Sequence, residues 1–90
     1  MRYTISDYAG RRLARPRSDV PDGWDLHPST SAYDSNMDLV LYVYATVGAG
    51  WAYHLLLPGV KSATSGFDTY EAARDAGLAA LQARGWNEQD

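Results

Sequence analysis

The chain has no cysteine, so no disulfide framework, thiolate nucleophile or Cys-ligated zinc site is available to it. Hydrophobic burial must carry its stability, and a reducing compartment suits it. Only one lysine, Lys61, and one phenylalanine, Phe67, occur in 90 residues. The start, Met1-Arg2-Tyr3-Thr4-Ile5-Ser6-Asp7, contains no apolar run of the kind that a secretory signal needs. These features predict a cytoplasmic protein.

What is present fits one small domain. Hydrophobic residues make up 46% of the chain and charged residues 21%, a globular balance that predicts folding as a single domain over residues 1–90. Seven Tyr and three Trp supply most of the aromatic area, and each of these rings ends in a polar atom suited to half-buried faces and binding surfaces. The net charge is −3. In residues 1–37 the arginines balance the aspartates, so the acidic excess lies in the second half. Arg11, Arg12, Arg15 and Arg17 form a local cationic run.

Residues 2–5 alternate as a short strand does. From Gly10 to Met37, Pro16, Pro21 and Pro28 stand among Asp, Ser and Gly without a sustained period, which predicts a long irregular arm. Trp24 and Tyr33 are its candidate anchors against the core.

Leu39–Val47 and Trp51–Leu57 are apolar and rich in β-branched and aromatic residues, separated by Gly48-Ala49-Gly50. The length would also suit a membrane-spanning helix. The midpoint glycines, His54 and the lack of flanking basic clusters favour a β-hairpin instead. Alternation sets Leu39, Leu41, Val43, Ala45 and Val47 against Val40, Tyr42, Tyr44 and Thr46. Pro58-Gly59 ends the second strand, and Val60–Thr64 can form a third.

Asp68, three residues before Glu71, predicts a helix N-cap with Phe67 as its apolar staple; the helix then runs from about Thr69 to Arg84 and stops at Gly85. Its predicted inner face is Tyr70, Ala73, Gly77, Ala80 and Leu81, poor in bulk, with Trp86 folding back onto Leu81. The expected fold is therefore α+β: a small antiparallel sheet of three to four strands, β-β-β-α in the second half, on one C-terminal helix. Residues 38–86 hold the hairpin, short strand and helix, and 87–90 form a tail.

Gly50-Trp51, Leu57-Pro58-Gly59-Val60, Gly66, Thr69 and Glu71-Ala72 resemble the core of HicB-like antitoxins over residues 42–83. That resemblance implies a β-β-β-α unit that works by occluding a protein partner. In general character the chain is similar to small regulatory proteins of phages and mobile elements, among them anti-CRISPR inhibitors of host defence.

Catalytic candidates fare less well. Asp22, Asp25 and His27 would suit a cation, but Asp and Gly in a Pro-containing loop are ordinary turn chemistry. His54 has no carboxylate near it in sequence to fix its tautomer. Ser62, Thr64 and Ser65 lack the glycine pattern of a nucleophile elbow or phosphate loop. The expectation is a non-catalytic regulatory protein without cofactor or metal, which binds and inhibits a protein partner through Tyr42, Tyr44, Trp51 and Tyr53 with Arg11, Arg12, Arg15 and Arg17. The alternatives are nucleic-acid binding through residues 11–17, and a homodimer formed by strand pairing.

Overall fold

A computed structural model describes residues 1–8 and 28–89. They form an α+β fold in which a six-stranded sheet carries one helix. The elements are β1 (Arg2–Tyr8), β2 (Ser29–Tyr33), β3 (Leu39–Ala45), β4 (Trp51–Leu55), β5 (Thr64–Phe67), α1 (Tyr70–Ala83) and β6 (Asn87–Glu88). The order across the sheet is β5-β4-β3-β2-β1-β6. Neighbouring strands are antiparallel, apart from the parallel pair β1 and β6.

The sheet exceeds the three to four strands expected by gaining β2 and β6, and two of the expected strands have other bounds. β1 continues to Tyr8 instead of ending near Ile5. Ser29–Tyr33, assigned to the irregular arm, is a central strand between β1 and β3. Its Ser-Thr-Ser-Ala-Tyr sequence lacks the bulky β-branched residues that mark a strand by pattern. Small side chains are what a strand flanked on both sides by larger residues can hold. Asn87 and Glu88, read as tail, pair with Arg2 and Tyr3. The strand after Pro58-Gly59 also forms later than expected, over Thr64–Phe67.

The hairpin forms as its glycines and alternation require, with Leu41 opposite Leu55, Val43 opposite Tyr53, and Ala45 opposite Trp51. Residues directly opposed in an antiparallel pair share a face. One face of the hairpin is therefore Leu41, Val43, Ala45, Trp51, Tyr53 and Leu55, and α1 lies on it. Val40 is an extra residue in β3, where the pairing with β2 shifts between Ala32 and Tyr33. Among the described residues, no helix is long and apolar enough to cross a membrane.

Helix α1 is capped one residue later than Asp68. Thr69 is extended, and its Oγ1 accepts the Ala72 N–H at 3.1 Å. The other end is a Schellman turn: Gly85, at φ +88°, donates to the Gln82 carbonyl at 3.0 Å, and Trp86 donates to the Leu81 carbonyl at 3.3 Å. Trp86 is thereby buried in the core with Tyr3, Leu41, Val43, Leu55, Ala73 and Leu81. The inner helix face is as expected, with Ala73, Gly77 and Leu81 buried and Tyr70 and Ala80 partly so. A Cβ on Gly77 would lie 3.1 Å from Leu41 Cδ1 and from Tyr53 Cβ, so this glycine sets how closely helix and sheet approach.

Candidate functional site: an uncharged tyrosine face

On the other side of the sheet no helix lies among the described residues. Strand alternation and register place Ser29, Ser31, Tyr42, Tyr44, Ala52 and His54 there, with Tyr33 at the end of β2. Ser31, Tyr42 and His54 form one row across three strands. Ser29, Ser31 and Ala52 are buried small residues, and the half-buried rings of Tyr33, Tyr42, Tyr44 and His54 stand among them.

Tyr42 and Tyr44, two residues apart on one strand, stack with ring centroids 5.3 Å apart at 15°. Burial raises the Tyr42 hydroxyl above its ordinary pKa; Tyr33 and Tyr44 add to the rise, while the neighbouring Ser29 hydroxyl works against it. The Tyr42 hydroxyl therefore stays protonated at neutral pH and can both donate and accept a hydrogen bond. The Ser29 hydroxyl is buried beside the Tyr42 hydroxyl.

The four expected aromatic anchors do not share this surface. Trp51 and Tyr53 lie on the helix-covered face, where Trp51 meets Tyr70 edge-on at 5.5 Å and Tyr53 packs against Phe67 at 5.9 Å. They are partly buried against the core. Tyr42 and Tyr44 alone of the four occupy the open face, joined by Tyr33 and His54. Arg11, Arg12, Arg15 and Arg17, with Trp24 and the Asp22, Asp25 and His27 group, lie outside the described residues. No cluster of three His, Asp or Glu residues that would hold a metal ion occurs among the described residues.

Tyr33, expected to anchor an irregular arm against the core, instead ends β2 on the side away from α1, and the serines beneath the rings carry no sequence signal of their own. The alternation of Ser29, Ser31 and Tyr33 was the available signal. His54 has no serine nucleophile within reach on this face. It stands beside Tyr42, and Ser31 lies on the far side of that ring's strand. Two strand spacings, about 9.6 Å, separate the backbones of Ser31 and His54, too far for this serine to pass a proton to that imidazole.

Comparison with protein-family models, curated proteins and solved structures gives no significant match.

A second polar cluster lies at the helix side of the sheet. Thr30, fully buried, donates to Asp7 Oδ1 at 2.6 Å and also bonds the Tyr70 hydroxyl. Arg74 donates to both Asp7 oxygens, from Nε at 3.3 Å and from Nη2 at 3.1 Å. Burial pushes the Asp7 carboxyl up, but the hydrogen bonds from Arg74 and Thr30 and the Arg74 charge outweigh it and hold the pKa below the ordinary value. These groups satisfy one another, so the cluster ties β1, β2 and α1 together.

Proposed function

We propose that the protein is a non-catalytic regulatory domain that binds and inhibits a protein partner, in the manner of an antitoxin or an anti-defence inhibitor, through the face carrying Tyr33, Tyr42, Tyr44 and His54. The observation that carries this reading is that face itself, a stacked tyrosine pair on a sheet surface whose central rows hold no charge and no overlying helix among the described residues. Tyrosine offers large, rigid contact area and a hydrogen-bonding tip at little entropic cost, which is why it dominates protein interfaces. With no formal charge in its central rows, the surface favours protein over nucleic acid, whose phosphates call for cations.

The test is a quantitative pull-down from the native host with mass spectrometry, comparing the wild type with Tyr42→Ala/Tyr44→Ala. Loss of a specific protein with the fold retained supports the reading. Retention of that protein assigns the interface elsewhere. Recovery of nucleic acid that washes away with salt and with Arg11→Ala/Arg12→Ala would transfer the function to the arginine run.

A further inference from the structure

His54 directly opposes Tyr42 in the antiparallel β3–β4 pair, an arrangement that brings two Cβ atoms to about 5 Å. Tyr42 stacks in turn on Tyr44. An imidazole and two phenols therefore lie side by side at the centre of the tyrosine face, with His54 half-buried among them. Histidine is the residue type that changes charge between about pH 5 and about pH 8. Burial holds the Tyr42 hydroxyl above its ordinary pKa, so this neighbour stays protonated over that range.

Among the described residues, the strands packed beside His54 bring it no opposite charge. From β3 it faces Tyr42, with Ser31 of β2 beyond. On its own strand the neighbour on this face is Ala52. On its other side β5, Thr-Ser-Gly-Phe, contains no ionisable group. The charges closest to that strand along the chain, Lys61 and Asp68, are exposed beyond its two ends. Helix α1 and the Asp7–Arg74 ion pair lie across the sheet. An imidazolium here is thus compensated by water, and a partner that covers the face removes that water. Desolvating an unpaired charge is costly, whereas a neutral imidazole enters a contact as any polar ring does.

On the reading that the partner docks on this face, we propose that His54 is the pH switch of the contact: the neutral imidazole is admitted to it, and protonation releases the partner. Because the bound state takes the uncharged form, affinity falls by up to about tenfold for each pH unit below the imidazole titration.

Native-host lysate passed over the immobilised protein at about pH 7.5 and eluted in steps to about pH 5.5 tests it. The wild type, His54→Gln and Tyr42→Ala/Tyr44→Ala are run side by side, each first shown to melt cooperatively. Proteins that the wild type retains and the double variant does not are those that use the face. They should leave the wild type as pH falls and stay on His54→Gln, whose amide is polar and carries no charge. Titrated as purified proteins, the wild type should lose about tenfold or more in affinity over this range beyond any change that His54→Gln shows. His54→Arg, charged throughout, should bind weakly at both ends of the range, which keeps the test decisive if Gln disturbs the fold. A protein that depends on Tyr42 and Tyr44 yet elutes alike from the wild type and His54→Gln overturns the switch and leaves the interface standing. Binding that tightens on acidification overturns it too, and places a carboxylate of the partner against His54. Retention of nothing, or retention that ignores Tyr42→Ala/Tyr44→Ala, removes the face as the interface and the switch with it.

Discussion

Asp7 and Arg74, 67 residues apart in sequence, meet in a two-point ion pair that fastens the end of β1 to the side of α1. A carboxyl whose pKa is lower in the folded than in the unfolded state adds stability above its unfolded value, about 3.9, and loses that contribution as pH falls through the folded value. Asp7 is such a group. The pair is partly solvated, with side-chain exposures of 50% for Asp7 and 26% for Arg74, so it contributes about 1 kcal/mol at most. Asp7→Asn keeps an acceptor for Thr30 and removes the charge. In urea titrations it should be less stable than the wild type at neutral pH, and the gap should close between about pH 5 and about pH 2.

Gly77 is predicted to resist its most conservative replacement. An exposed Gly→Ala in a helix gains up to about 1 kcal/mol from propensity. At this position the new methyl meets Tyr53 Cβ, an atom bound to the sheet backbone that cannot rotate away, as well as the mobile end of Leu41. Overpacking of about 1–3 kcal/mol outweighs the propensity gain. Thermal unfolding of Gly77→Ala should show a lower melting temperature, and Gly77→Val a larger drop.

The helix cap offers a direct comparison between adjacent residues. Thr69→Ala should cost about 1 kcal/mol, since it removes the Oγ1 that accepts the Ala72 N–H. Asp68→Ala should cost no more than a few tenths, as its carboxylate only complements the helix dipole. Denaturant midpoints of the two variants decide between them.

The cap also illustrates what sequence can reveal. Asp68 and Glu71 have the spacing of a capping box, yet Thr69 is an equally good cap one residue on, and only the backbone angles choose between them. The hairpin, the helix and its glycine stop were legible because each depends on neighbours in sequence: alternation in Leu39–Ala45, the paired glycines at 48 and 50, and the αL residue Gly85. β2 and β6 were not. Ser29–Tyr33 carries little local strand preference and is made a strand by β1 and β3, which are far from it in sequence, while Asn87–Glu88 is fixed by pairing with the opposite end of the chain. The same nonlocal dependence hid half of the site. Which face Trp51 and Tyr53 take follows from where α1 docks, and which residues join Tyr42 follows from β2.

The two faces of the hairpin should therefore respond differently to the same substitution. Trp51 and Tyr53 pack on Tyr70, Phe67 and the core beneath α1, so truncating either leaves a cavity there. Each change to Ala should cost about 3 kcal/mol or more. Tyr42 and Tyr44 are half-buried on the side without the helix, and their loss removes mainly each other's stacking, about 0.5–1.5 kcal/mol, together with part of their burial. Partner capture should run the other way. Tyr42→Ala/Tyr44→Ala should lose the partner while keeping a cooperative melt. Tyr53→Phe, which keeps the ring beneath the helix, should change neither. Stability measured by chemical denaturation and capture measured on the same preparations would separate the scaffold face from the binding face. If Tyr42→Ala/Tyr44→Ala proves as destabilising as Tyr53→Ala, the open face is a second core surface and the proposed interface is lost.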